Sequence, residues 1–347
     1  MSSPATSPAP RANRVGLQIA DYKGAPSTLC KGCGHDVISN TIVQAYHELA
    51  IEPYRVAKLS GIGCSSKTPA YFLSRAWGFN AVHGRMPSVA TGALLANRSL
   101  LGIGVSGDGD TASIGVGQFV HLVRRNVPLV YVVENNGVYG LTKGQFSATA
   151  DKGSRLKDGT VQDHTGIDIA TMALNLGATF VARSFSADRK QMLEILKAAI
   201  SHRGLAVVDV MSPCVTFNDH EGSTRSYDWG RDHQGRIHEV GFVPAWEHPE
   251  VEASAGGPIE VPLPGGGTIL VTRVGEGHDP RDKEAALALL RKGLTGGTYL
   301  TGIFYVTTAE PTLPEVLGLV DEPLATLPED RVRPPASVLE AINESYR

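Results

Sequence analysis

The feature that most restricts the fold of this chain is a regular alternation of short apolar strand patterns with helical patterns. Asp36–Leu49 reads as a helix, Tyr54–Leu59 as a strand and Ser88–Arg98 as a helix. Leu100–Val105 reads as a strand that ends in the glycine-rich turn Ser106–Asp110. Ser113–Arg125 follows as a helix, with Ile114, Phe119, Leu122 and Val123 roughly on one face, and Pro128 opens the strand Leu129–Val133. A helix near Ile167–Leu176, a strand at Thr179–Ala182, a helix at Asp188–His202 and a strand at Ala206–Val210 complete the set. Strands that alternate with helices of this length imply a parallel sheet covered on both faces, an α/β doubly wound fold. Ligands of such sheets sit beyond the carboxyl ends of the strands. Gly107–Asp110 and Asn135–Gly140 both fall at such ends.

The 347 residues correspond to about two domains. A net charge of −3 with no polybasic field argues against nucleic acid or an anionic membrane as the main partner. Apolar runs such as Val127–Val133 are far shorter than the ~20 residues that cross a bilayer. Hydrophobic residues make up 42%, enough for a real core. Met1–Arg14 is rich in Ser, Pro and Ala and lacks an apolar h-region, so it reads as a disordered leader, and a cytoplasmic protein is expected. The texture changes after Cys214. Residues 15–217 are expected to form the α/β domain and residues 218–347 an irregular C-terminal extension. The extension holds a polar stretch, Asn218–His248, and a hairpin, Ile259–Val274, around Pro264–Gly267. A short helix at Lys283–Arg291 and a strand at Ile303–Thr307 follow. Six prolines between Pro311 and Pro335 then imply an extended tail suited to wrapping a partner, closed by a helix at Ser337–Tyr346.

The sharpest local signal is Gly107-Asp108-Gly109-Asp110, with Asn136 following Gly109 after 26 intervening residues. The intervening strand–turn–helix–strand pattern brings Asp108 and Asn136 to neighbouring strand ends. A carboxylate, an amide oxygen and a backbone carbonyl are hard oxygen ligands that suit Mg²⁺. The glycines let backbone N–H groups approach a diphosphate, with the positive end of the next helix aimed at it.

The four cysteines, Cys30, Cys33, Cys64 and Cys214, equal the number that a tetrahedral metal site or an iron–sulfur cluster needs. Cys30-x-x-Cys33 is a chelating loop whose tight turn Gly32 and Gly34 permit. Cys64 and Cys214 follow strands, so all four thiols can converge on one edge of a parallel sheet. Spacing alone does not choose between zinc and iron–sulfur. His220, His233 and His238 are spaced too irregularly for a second metal site, and His35, His47 and His121 read as structural or surface residues.

The stretch GDGD…NNGVYGLTKGQ, with CKGCGH at Cys30–His35, SGIGCSSK at Ser60–Lys67, HGR at His83–Arg85 and SPC at Ser212–Cys214, closely resembles the beta subunits of 2-oxoacid:ferredoxin oxidoreductases. Within that family it looks most like the 2-oxoglutarate enzymes. The resemblance spans roughly residues 25–218 and carries a set of expectations. Asp108, Asn136 and the Val138 carbonyl would hold Mg²⁺, and Gly107, Gly109 and Asp110 would form the loop around the diphosphate of thiamine diphosphate. The four cysteines would bind one 4Fe–4S cluster. Leu29 stands where the family often has Trp, which alters packing beside the cluster and not its ligation. Lys67 and Lys143 are candidates to meet the carboxylate of a 2-oxoacid or a phosphate of coenzyme A, and Leu141 to wall the substrate pocket. His83 and Arg85 would lie near the cofactor. The implied reaction is oxidative decarboxylation of a 2-oxoacid to an acyl-CoA and CO₂, or its reverse, with electrons passing through the cluster to ferredoxin. A non-redox thiamine enzyme carrying structural zinc, and a regulatory chain with a vestigial cofactor fold, are the competing readings. The chain has sequence for the diphosphate half only. Glu48, Glu52 and Glu134, the glutamates before residue 150, do not look placed for the aminopyrimidine ring. An alpha subunit in an α2β2 assembly is therefore expected to supply that carboxylate.

Overall fold

The computed structural model describes residues 12–247, 257–275 and 277–347. Most of the expected leader, residues 1–11, and the end of the polar stretch, residue 248, lie outside the described residues. Asn13 is tied down: its Nδ2 donates to the Tyr22 hydroxyl at 2.8 Å and to the His47 carbonyl at 2.9 Å.

Thirteen strands are described: β1 Val56–Ser60, β2 Trp77–Asn80, β3 Leu101–Gly107, β4 Leu129–Asn135, β5 Val138–Tyr139, β6 Gln145–Phe146, β7 Phe180–Phe185, β8 Ala206–Met211, β9 Gln234–Arg236, β10 His238–Val243, β11 Ile259–Pro262, β12 Thr268–Arg273 and β13 Tyr299–Val306. Eight of them form the main sheet in the order β2-β1-β3-β4-β8-β7-β13-β9, parallel from β2 to β7. β13 runs antiparallel to β7. The doubly wound expectation holds.

The helices that cover this sheet are α1 Gly34–Glu48, α2 Met86–Ala96, α3 Val116–Arg124, α4 Ile169–Asn175, α5 Arg189–Ser201, α6 Tyr227–His233 and α7 Lys283–Gly296. Every residue of β4 is buried, because both faces of the sheet are covered. Val130 and Val132 face one core with Ile38, Ile42 and Tyr46 of α1 and Ile195 of α5. Leu129, Tyr131 and Val133 face the other, with Leu94, Phe119, Leu174 and Leu290 from α2, α3, α4 and α7. The β10-β12-β11 sheet packs through Phe242, Val261, Ile269 and Val271 into the first core, against α5. Among the described residues no helix is long and apolar enough to cross a membrane.

Three expectations change. The strand expected at Ile303–Thr307 joins the main sheet as β13, so the region after residue 218 completes the central layer; local periodicity reveals a strand but not its pairing partner. The edge strand β2 is exposed at every residue, so it carries no apolar alternation to find. The tail is less extended than its prolines suggest. Short helices α8 Leu313–Val316, α9 Glu329–Val332 and α10 Ala336–Ser345 interrupt it. α8 starts at a Thr312/Glu315 capping box with Pro314 in its first turn.

Two buried histidines make the fold acid-sensitive. His202 Nε2 lies 2.9 Å from Thr179 Oγ1, and His238 Nε2 donates to the His278 carbonyl at 2.8 Å. Burial lowers each pKa to about 4, against ~6.5 in the unfolded chain. The unfolded chain therefore binds more protons across this window. Stability is full above about pH 6.5 and is lost as pH falls toward 4. Thermal melts of the chain should show Tm falling steeply over that range. His202→Gln should melt lower at neutral pH and show a shallower acid limb; an unchanged limb would exclude His202.

Candidate active site

The parallel strands deliver four loops to one edge. In register, Gly107 of β3 faces Glu134 of β4, and Asn135 of β4 faces Met211 of β8. Asp108, Asn136 and the Cys214 loop therefore emerge side by side, with the Cys64 loop beyond β1. A cavity of about 150 Å³ opens there, lined by Gly107, Asp108, Gly109, Asp110, Asn136 and Val138 together with His83, Cys64, Gly140 and Leu141.

Asp108 is 1% exposed and held from several sides. The Ser147 hydroxyl donates to its Oδ2, and Thr149 Oγ1 reaches the same oxygen at 2.5 Å. Its Oδ1 receives only the Asn136 backbone N–H, at 3.3 Å. One carboxylate oxygen is thus saturated by the protein and the other is nearly free for a cation. Burial pushes the Asp108 carboxyl above its ordinary range, opposed by the two hydroxyls and the amide. Thr149 also lies 3.0 Å from Asn135 Oδ1, and Asn135 Nδ2 donates to Asp209 Oδ1 at 3.0 Å. Arg183 closes the buried network onto Asp209 and Asp168. The Asn136 side-chain oxygen accepts the Val138 N–H at 3.0 Å, and its carbonyl accepts Asn218 Nδ2 at 2.8 Å.

The cradle depends on missing side chains. A Cβ on Gly109 would stand 2.4 Å from the Tyr139 ring, and one on Gly107 3.0 Å from Ser65 Oγ. After β3 the chain coils at once into a π-helical turn, Asp110–Ile114, before α3. That turn swings Ile114 off the α3 core face into the cavity wall, 46% exposed, which corrects the expectation that it packs with Phe119. Hard oxygen donors beside an open glycine floor fit a Mg²⁺–diphosphate group.

Asp110 lines the cavity, but its carboxylate is engaged. Oδ1 accepts the Gly84 N–H at 2.7 Å and Oδ2 accepts the Ser106 hydroxyl at 2.9 Å. A Cβ on Gly61 would meet Oδ2 at 2.0 Å, so this side chain clamps the loops at 61 and 84 together. His83 and Leu141 line the cavity, Leu141 54% exposed and so not core. Arg85 does not; it precedes α2, and its guanidinium reaches the His83 carbonyl at 3.5 Å. Lys67 and Lys143 are exposed and lie outside this cavity.

The cysteines gather against the same wall. A Cβ on Gly140 would stand 3.7 Å from the sulfurs of both Cys64 and Cys214. The Cys30–Cys33 loop is tied to the Cys214 loop by the Gly34 N–H to the Pro213 carbonyl, 3.3 Å. Thr216 Oγ1 donates to Cys30 Sγ at 3.2 Å, and backbone N–H groups of Phe217 and Thr216 turn toward Cys214. Burial pushes the Cys33 thiol up to about 12. A single tetrahedral zinc would draw four thiolates to about 4 Å of one another. Among the described residues no three His, Cys, Asp or Glu side chains close on one point in that way. The wider gathering, with N–H and O–H donors facing the sulfurs, fits a larger thiolate-bound group. His220, His233 and His238 do not meet: His233 stacks on Trp229 and His238 is in the interior.

Sequence reasoning missed several residues here. His35 is not peripheral: it is buried in the cavity wall, Nδ1 2.5 Å from Ser212 Oγ and 3.4 Å from Glu134 Oε2. Glu134 is also fully buried in that wall. Burial lowers His35 to about 4 and raises Glu134 well above the carboxylate range, so the pair is neutral near pH 7 and not a salt bridge. Ser147 and Thr149 gave no signal beyond their closeness to the GLTKGQ stretch.

Residues 61–210 match the thiamine pyrophosphate enzyme, C-terminal TPP binding domain. The chain is 43% identical over 219 residues to the 2-oxoacid:ferredoxin oxidoreductase subunit beta of Saccharolobus solfataricus, covering 63% of this chain and 70% of that one. It is 36% identical to 2-oxoacid:ferredoxin oxidoreductase 1, subunit beta, of Aeropyrum pernix over 323 residues, 90% of each. The 2-oxoglutarate:ferredoxin oxidoreductase from Magnetococcus marinus, solved with 2-oxoglutarate, coenzyme A and succinyl-CoA bound, superposes with a TM-score of 0.72 at 31% identity, covering 94% of this chain and 97% of that one. With the fold, the Asp108–Asn136 edge and these relatives in agreement, the chain belongs to the beta subunits of the 2-oxoacid:ferredoxin oxidoreductases.

Proposed function

We propose that this subunit carries thiamine diphosphate, Mg²⁺ and one 4Fe–4S cluster and works with an alpha subunit in an α2β2 enzyme of the cytoplasm. The enzyme converts a 2-oxoacid, 2-oxoglutarate above others, and coenzyme A to the acyl-CoA and CO₂, with ferredoxin as electron partner. One observation carries this reading: Gly140 belongs both to the wall of the Asp108–Asn136 cavity and to the Cys64–Cys214 gathering. A carbon centre and an electron acceptor would thus be neighbours.

Asp108, Asn136 and the Val138 carbonyl would hold Mg²⁺, with Ser147 and Thr149 fixing the carboxylate of Asp108. Gly107 and Gly109 leave room for the diphosphate, while Asp110 keeps the two flanking loops in place. When bound, thiamine diphosphate supplies the nucleophilic carbon that adds to the keto group and accepts the electrons freed as CO₂ leaves. Cys30, Cys33, Cys64 and Cys214 would hold the cluster beside it. Leu141 in the wall and Lys143 two residues on stand where the acid would be chosen, and His83 lies at the mouth. The preference for 2-oxoglutarate draws support from the Magnetococcus marinus enzyme and from the 2-oxoglutarate oxidoreductase subunit KorB of Mycobacterium tuberculosis, 42% identical over 192 residues, 55% of this chain and 51% of that one.

A cavity of about 150 Å³ is smaller than the ~300–1,000 Å³ that encloses a ligand of this size. The alpha subunit would close it and bring the ring carboxylate. Reconstituted alone with iron, sulfide, Mg²⁺ and thiamine diphosphate, the chain should not turn over any 2-oxoacid. Mixed with its alpha subunit it should reduce a viologen dye, fastest with 2-oxoglutarate in a panel of acids. Turnover without the second subunit contradicts the division of labour, and a flat panel contradicts the substrate.

A further inference from the structure

Behind the Ser60–Lys67 segment lies a second cavity of about 580 Å³, open to solvent. Lys58 of β1, Ser66, Lys67, Tyr71, Phe79 and Asn80 form its polar and aromatic lining, and no acidic side chain faces it.

Lys58 is the unusual member. It sits mid-strand in Val-Ala-Lys-Leu-Ser, where every residue is buried, and is itself 9% exposed. Its ammonium donates to the Phe72 carbonyl at 2.8 Å and lies 5.8 Å from the Phe72 ring centre. Among the described residues no carboxylate pairs with it, and burial alone lowers its pKa to about 8. A buried ammonium without a counter-ion is costly, and an apolar side chain would fill this strand position without that cost. Ser66 Oγ, in the same wall, is buried and has no hydrogen-bond partner. Phe79, 39% exposed, offers an aromatic face. Two ammonium groups, a hydroxyl and an aromatic face are the parts of a site for a phosphorylated nucleoside.

We propose that this cavity binds the phosphorylated adenosine end of coenzyme A, with Lys58 and Lys67 facing its phosphates. The inference rests on the acyl-CoA reading above. One segment separates the two cavities: Cys64 and Ser65 face the thiamine pocket, and Ser66 and Lys67 face this one. A ligand anchored here by its phosphates needs a long flexible arm to bring a thiol to the first pocket, and coenzyme A has that shape.

The test uses the assembled enzyme. Lys58→Met keeps length and packing and removes the charge. The KM for coenzyme A should rise roughly tenfold or more, from the loss of a charge-assisted hydrogen bond. The KM for 2-oxoglutarate, and cluster reduction by 2-oxoglutarate before coenzyme A is added, should not change. With 3′-dephospho-coenzyme A the two proteins should differ less if Lys58 meets the 3′-phosphate, and as much as before if it meets the diphosphate. A coenzyme A KM within about twofold of wild type overturns the proposal. A second measurement needs no variant: reductive methylation of the wild-type complex, read by mass spectrometry, should label Lys58 and be blocked by coenzyme A. Labelling that coenzyme A does not alter also overturns it. Failure of the acyl-CoA reading would appear differently, as a cluster that 2-oxoglutarate cannot reduce.

Discussion

Asp108→Ala should weaken Mg²⁺-dependent thiamine diphosphate binding by at least about 100-fold, because it removes the one anionic ligand from a cation that must hold a diphosphate. Isothermal titration in the presence of Mg²⁺ reads this without any turnover assay. The structure adds a graded series. Asp108 Oδ2 is committed to Ser147 and Thr149, and only Oδ1 is nearly free. Removing one hydroxyl, as in Thr149→Val, leaves the carboxylate in place but frees it to rotate. That variant should bind the cofactor roughly tenfold more weakly, between wild type and Asp108→Ala. Unaltered affinity in Asp108→Ala would remove the carboxylate from cofactor binding. Equal losses in both variants would mean that the site had collapsed and was not merely missing a ligand.

Cys214→Ser should abolish cluster assembly. Iron should fall from about four atoms per chain toward zero, with loss of the broad absorption near ~400 nm. The effect is expected to be large because Cys214 both ligates and organises. Its loop receives the Gly34 N–H of the Cys30–Cys33 segment through Pro213, and Thr216 of the same loop donates to Cys30. Iron content equal to wild type would exclude Cys214 as a ligand. Thiamine diphosphate affinity should hold in this variant, since Asp108 and Asn136 take their support from Ser147, Thr149 and Asn218. The two substitutions therefore separate the metal functions of one edge.

Much of this was legible in the sequence, for physical reasons. Apolar runs such as Leu129–Val133 are buried on both faces, and glycine-rich turns punctuate them, so periodicity alone reveals a parallel sheet. Topology then carries the loops after β1, β3, β4 and β8 to one edge, which is why Cys64, Asp108, Asn136 and Cys214 could be grouped before any coordinates were known. What stayed hidden depends on contacts between distant segments. His35 follows the Cys30–Cys33 loop, yet its surroundings are Glu134 and Ser212, a juxtaposition that spacing does not encode. Asp110 looked like one more member of the diphosphate loop, but its carboxylate is bound to Gly84 and Ser106. β13 joins the main sheet from beyond residue 218 because β7 needs a neighbour, not because its own pattern specifies one. Lys58 reads as an ordinary charged residue until β1 is seen to be buried along its whole length.

The central claim is that carbon chemistry at the Asp108–Asn136 edge delivers electrons to a cluster on the neighbouring cysteines. The most direct measurement is anaerobic electron paramagnetic resonance of the assembled enzyme, frozen after 2-oxoglutarate is added without coenzyme A. The account predicts a reduced 4Fe–4S signal that appears with the acid, is absent in Cys214→Ser and is absent in Asp108→Ala. A colourless protein holding one zinc per chain, or an iron cluster that 2-oxoglutarate leaves fully oxidised, would contradict it.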